Sequence, residues 1–199
     1  MDTVATHVLA GRTAGSAIED RLSDQLAAVV ATARRRASRG GDRDVDTAHL
    51  LHSLLESDPV VRAFLGGGGP LTAKLLGYLA QRSIGYGLRW RHLAEETGAA
   101  DAGPGAGAGA AALPGWSPAA ATAMEVALGR VRAREARRAE GVDLFAGLVA
   151  DAECRAAEVL RTAGVDVRGL ARRLGPGRAG SWKTPAGVRG IRDDTPVDR

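Results

Sequence analysis

A chain of 199 residues, 45% apolar but only 4% aromatic, suits one domain of roughly 150 residues with tails, its core built from Leu, Val and Ala on closely packed helices. The 27 basic residues against 23 acidic ones leave a net charge of +4, which permits acidic partners but falls short of the concentrated basic footprint of a dedicated nucleic-acid binder. The single cysteine, Cys154, excludes an internal disulfide and suits a reducing cytosol; with no basic-then-apolar leader and no run near ~18 apolar residues, the expectation is a cytoplasmic protein without membrane contact.

Residues 1–20 carry few apolar anchors and are expected to form a flexible lead-in. The first strong helix starts at Leu22-Ser23. Ser23 can accept a hydrogen bond from a first-turn N–H, Asp24 suits the positive helix end, and Leu22 can pack as a staple. Leu26, Val29, Val30 and Ala33 form one apolar stripe. Arg34, Arg35, Arg36 and Arg39 crowd the far end as a solvated basic turn, and Gly40-Gly41 stop the helix.

Asp46 or Thr47 is the expected cap of a second helix, whose buried face is Leu50, Leu51, Leu54 and Leu55. Pro59 opens a short third helix with Val60, Val61, Phe64 and Leu65. After the Gly66–Pro70 break, a fourth runs through Leu71, Leu75, Leu76 and Leu79. Leu88, Trp90 and Leu93 could extend it. Residues 95–115 are a Gly/Ala/Pro-rich linker.

The pattern then recurs. Trp116-Ser117-Pro118 stands 94 positions after Leu22-Ser23, and Leu148 stands at the same offset from Leu54. Ser117 repeats the cap, and Pro118 sits in the first turn, where its missing N–H costs nothing. Met124, Ala127, Leu128 and Val131 supply the stripe; Arg130, Arg132, Arg134, Arg137 and Arg138 supply a basic end. Leu144, Phe145 and Leu148 match Leu50, Leu51 and Leu54. The segment from Cys154 gives a helix, a stop at Gly164, and a last helix carrying Val167, Leu170 and Leu174. Residues 175–199 are expected to be a disordered tail, with Trp182 as a possible short-motif anchor. The fold expected is all-α: two pseudo-symmetric four-helix repeats (21–94 and 116–174) forming one globular eight-helix domain. Duplications of this kind serve binding more often than catalysis.

Catalytic constellations are poorly supported. Asp46, His49, His52 and Glu56 recur at three- and four-residue steps, but such steps drift around the helix by about 60°, so a metal set is not expected; a satisfied cap with surface histidines is. Cys154 reads as a small packed residue rather than a nucleophile. Glu95-Glu96 and Asp193-Asp194 read as solvated charge. Gly66–Gly69 has the Gly content of a phosphate loop but lacks the Gly-Lys pair and the leading strand, so no nucleotide hydrolysis and no cofactor is expected.

In order, spacing and duplication, residues 21–174 resemble the Clp N-terminal (Clp repeat) domain, the substrate- and adaptor-receiving module of Clp-type AAA+ unfoldases. The resemblance rests on the caps Leu22-Ser23 and Trp116-Ser117-Pro118, and on two inner segments, Asp46-Thr47-Ala48-His49-Leu50-Leu51 and Glu140-Gly141-Val142-Asp143-Leu144-Phe145. The repeat ending Ala156-Ala157-Glu158-Val159-Leu160 with Gly164-Val165-Asp166 completes it. It implies a free-standing, non-catalytic, monomeric module that binds a protein or peptide and acts as adaptor, decoy or modulator of a Clp chaperone-protease system. Clp components, their substrates or cyclic-peptide antibiotics are the implied partners. The candidate surface is Leu22, Ser23, Ala48, His49, Trp116, Ser117, Val142 and Asp143. Family members place a Glu for phospho-arginine at the positions of Ala48 and Val142, so that ligand is expected to bind weakly or not at all. The competing class is a DNA-binding regulator using the Arg-rich helix ends and tail.

Overall fold

The computed structural model describes Ile18 and residues 20–67, 69–81 and 115–175. The lead-in through residue 17, the extension through Leu88, Trp90 and Leu93, the acidic pairs Glu95-Glu96 and Asp193-Asp194, most of the linker and the tail with Trp182 lie outside these residues. The described chain forms eight helices: α1 (Asp24–Gly40), α2 (Thr47–Ser57), α3 (Pro59–Phe64), α4 (Pro70–Gln81), α5 (Pro118–Ala133), α6 (Gly141–Ala150), α7 (Arg155–Thr162) and α8 (Val167–Leu174). The class is all-α.

Local chemistry sets the helix ends. Ser23 and Ser117 are N-caps with nearly the same backbone angles, and their hydroxyls accept from Leu26 N and Ala120 N, each at 3.2 Å. Each serine thereby satisfies one of the donors a helix start leaves unpaired. Asp46 caps α2 through His49 N at 2.8 Å, and Asp58 caps α3 through Val60 N and Val61 N. The α1 helix stops where Gly41 takes φ 73°, returning its N–H to Ala37 O and Ser38 O, a conformation that costs glycine little.

The core is built of short apolar side chains. In α2, Leu50, Leu51, Leu54 and Leu55 are completely buried, and Met124, Leu144, Phe145 and Leu148 are their equals in α5 and α6. Each such side chain contributes about 2 kcal/mol of hydrophobic burial before entropy is charged against it. The α5 and α6 helices pack closely, and Gly147 permits it, since a Cβ there would lie 2.2 Å from Ala123 O. The α2 helix packs on α1, α4, α7 and α6, which puts it in the middle of the molecule.

Two isolated parallel bridges tie the chain before residue 82 to the chain after residue 114. Leu22 bridges Ala139, through Ser23 N to Ala139 O and Ala139 N to Arg21 O, both 2.8 Å. Val45 bridges Trp116, through Ser117 N to Val45 O at 2.9 Å and Val45 N to Gly115 O at 2.8 Å. Trp116 and Ala139 stand 94 positions beyond Leu22 and Val45, so the residue before the cap of each long helix pairs with the segment entering the other half's inner helix.

Three side chains depart from expectation. Arg130, read from the sequence as part of a basic end, is buried: it reaches Asp143 at 3.4 Å, Leu174 O at 3.1 Å and Gly175 O. Its place one turn before Arg134 aims it at the carbonyl end of α8, which welcomes a cation. His49 and His52, expected on the surface, are withdrawn from it, with side chains 14% and 8% exposed. Each has found a carboxylate partner that makes burial tolerable.

A candidate binding cleft between the helix starts

Ser23 stands at one edge of a cleft of about 770 Å³ whose lining is completed by Asp20, Arg134, Ala136, Arg137, Arg138 and Glu140. The Leu22–Ala139 bridge brings the two walls together, since it holds the cap of α1 beside the segment entering α6. Arg138 and Asp24 face each other across the same junction at 2.9 Å, both with largely exposed side chains.

Asp143 lies beneath this cleft and is completely buried. Its carboxylate accepts from two nitrogens of Arg134, from Arg130 Nε and from Glu140 N at 3.0 Å. Three donating groups around one carboxylate compensate its loss of water. The hydrogen bonds that Arg134 donates to Asp143, together with the charge of Asp143 and opposed by partial burial, push the Arg134 guanidinium pKa above its usual value.

The other helix start is organised differently. Asp46 reaches Arg155 Nη1 at 2.6 Å across the molecule, and Thr47 Oγ1 accepts from Ala156 N at 3.0 Å. His49 Nδ1 is 2.8 Å from Asp46 and its Nε2 is 3.2 Å from Asp42. Burial works against the charged form of both groups, but their mutual attraction and hydrogen bonding win: the Asp46 carboxyl falls well below the usual carboxylate range, and the His49 pKa rises. His52 goes the other way, to about 4, because burial and the neighbouring Arg36 outweigh Glu56.

Of the eight residues singled out from the sequence, Ser23 alone lines the cleft. Leu22, Ala48, Trp116, Ser117, Val142 and Asp143 are buried at or beside the two bridges. His49 is half-buried in its carboxylate pair, and Arg34 stands over the Trp116 ring at 5.9 Å. The cleft's charged residues Arg134, Arg137, Arg138 and Glu140 lie outside the candidate surface expected from the sequence, in which the three arginines belong to a basic helix end. Their signal in the sequence was a dense charge run between two helices, which reads equally well as a solvated turn.

Cys154 is buried at the start of α7, where its Sγ donates to Leu148 O and accepts from Ala157 N. No helix among the described residues is long and apolar enough to cross a membrane. No family model matches the sequence, and no curated protein matches it.

Proposed function

We propose that this chain is a non-catalytic protein- or peptide-binding module of the Clp N-terminal domain type, built from two pseudo-symmetric four-helix repeats and acting as adaptor, decoy or modulator of a Clp chaperone-protease system. The observation that carries the reading is the pair of crossed bridges. Leu22 with Ala139 and Trp116 with Val45 exchange partners between halves at a constant offset of 94 residues. Matched cap geometry at Ser23 and Ser117 supports it. An apolar interior devoted to packing, with a cleft opening at one junction, suits reception of a ligand better than chemistry on it. The two withdrawn positions at Ala48 and Val142 supply no carboxylate for a guanidinium, so phospho-arginine is not the proposed ligand. A cytoplasmic setting belongs to the same reading, with a buried Cys154 that forms no disulfide in keeping with it.

The test is direct binding of the purified chain to purified Clp unfoldase and protease components, beside a titration with duplex DNA at two salt concentrations. Saturable association with a Clp component that persists at the higher salt is the expected outcome. Tight, steeply salt-dependent binding to DNA with no Clp association would replace this reading with the regulatory one.

A further inference from the structure

Building on the binding-module reading, we infer that the cleft at Ser23 receives an acidic peptide segment, whose carboxylates are taken by Arg134, Arg137 and Arg138. Three guanidinium groups line this one cleft. Arg137 is exposed and makes no ion pair with a described residue. Among the described residues Arg138 is paired only with Asp24, whose side chain is 98% exposed; such a surface pair exchanges readily for a better partner. Arg134 is held in place by buried Asp143, so it loses little freedom when a ligand arrives. Because Asp143 serves both Arg134 and Arg130, the buried cluster keeps a positive surplus beneath the cleft.

Asp20 and Glu140 also line the cleft, and they decide between kinds of anion. A nucleic acid, with its regularly repeated phosphates, would press negative charge against both. A peptide can space its carboxylates to meet the arginines and set backbone N–H groups against Asp20 and Glu140. Ala136 is the sole apolar residue of the lining, so attraction between charges must dominate and salt must weaken it.

The experiment is fluorescence anisotropy of a labelled Glu-rich peptide titrated with the full chain at low and high salt. The wild-type chain is expected to bind, and to bind more weakly at high salt. The Arg137→Glu/Arg138→Glu double variant, exposed at both positions and checked by circular dichroism, should lose about tenfold or more in affinity. Arg168→Glu, exposed on α8 outside the cleft, should leave binding unchanged. Failure of the wild-type chain to bind the peptide, an equal loss in Arg168→Glu, or displacement of the peptide by duplex DNA at lower charge concentration would each overturn the inference. Carrying the double variant into the Clp binding assay separates the two levels. A chain that associates with a Clp component but does not bind the peptide overturns the acidic-peptide site while the module reading stands. Peptide binding that depends on Arg137 and Arg138, with no Clp association, supports the site and removes the Clp partner.

Discussion

Asp143 gathers two guanidinium groups around one carboxylate. It is completely buried, compensates Arg130 and Arg134, and reaches back to the backbone of Glu140. Asp143→Asn preserves its shape but leaves two guanidinium groups without a counter-charge, one of them holding the end of α8. Urea unfolding should show a loss of about 3 kcal/mol, the order seen when one partner of a buried pair is removed. The two described histidines should give opposite pH responses. The His49 pKa is raised, so its contribution is complete below about 6.5 and fades as pH climbs past the folded-state value. For His52 it is lowered to about 4, so its contribution is present above 6.5 and fades as pH falls towards 4. Thermal unfolding across pH should therefore show a shallower acid decline in His52→Gln than in wild type, and a shallower decline above neutrality in His49→Gln.

At the scale of elements, the two serine caps do the same local job in different surroundings. Both accept one first-turn N–H at 3.2 Å, but Ser117 is buried while Ser23 faces the cleft. Ser23→Ala should cost about 1 kcal/mol, the ordinary worth of an N-cap. Ser117→Ala should cost more, about 2 kcal/mol, because water cannot replace the lost acceptor at a buried helix start. Equal losses in chemical denaturation would show that the burial of Ser117 is energetically unimportant. These caps were legible in advance: serine before a first turn, followed by Asp24 in one case and Pro118 in the other, has a local physical cause. So were the stripes of α1, α2 and α5, whose apolar residues repeat at helical spacing and are buried as that spacing requires.

For the whole molecule, the crossed bridges have a mechanical consequence. The cap segment of α1 finds its backbone partners at Ala139, and the segment entering α2 finds its own at Gly115 and Trp116. Asp46 and Thr47 are likewise completed by Arg155 and Ala156 of α7. A chain divided within residues 95–113 would thus leave each piece with unpaired groups and an uncovered core. Each fragment alone should show low helicity by circular dichroism, and equimolar mixing should restore it together with a cooperative thermal transition. Two independently folded fragments would contradict this mutual dependence.

The sequence by itself determined what depends on neighbours along the chain: the helix starts at Ser23 and Ser117, the stop at Gly41, the apolar faces, and the all-α class. These follow from hydrogen-bond supply within one turn and from the 3.6-residue period. Tertiary structure alone decided the fate of the charges. Arg130, Arg134, Arg137 and Arg138 look alike in the sequence, yet Arg130 is buried against the end of α8, Arg134 is locked to Asp143, and Arg137 and Arg138 line the cleft. Nothing within a turn distinguishes them, because a charged side chain is priced by the solvent and partners it meets, and those arrive from distant parts of the chain.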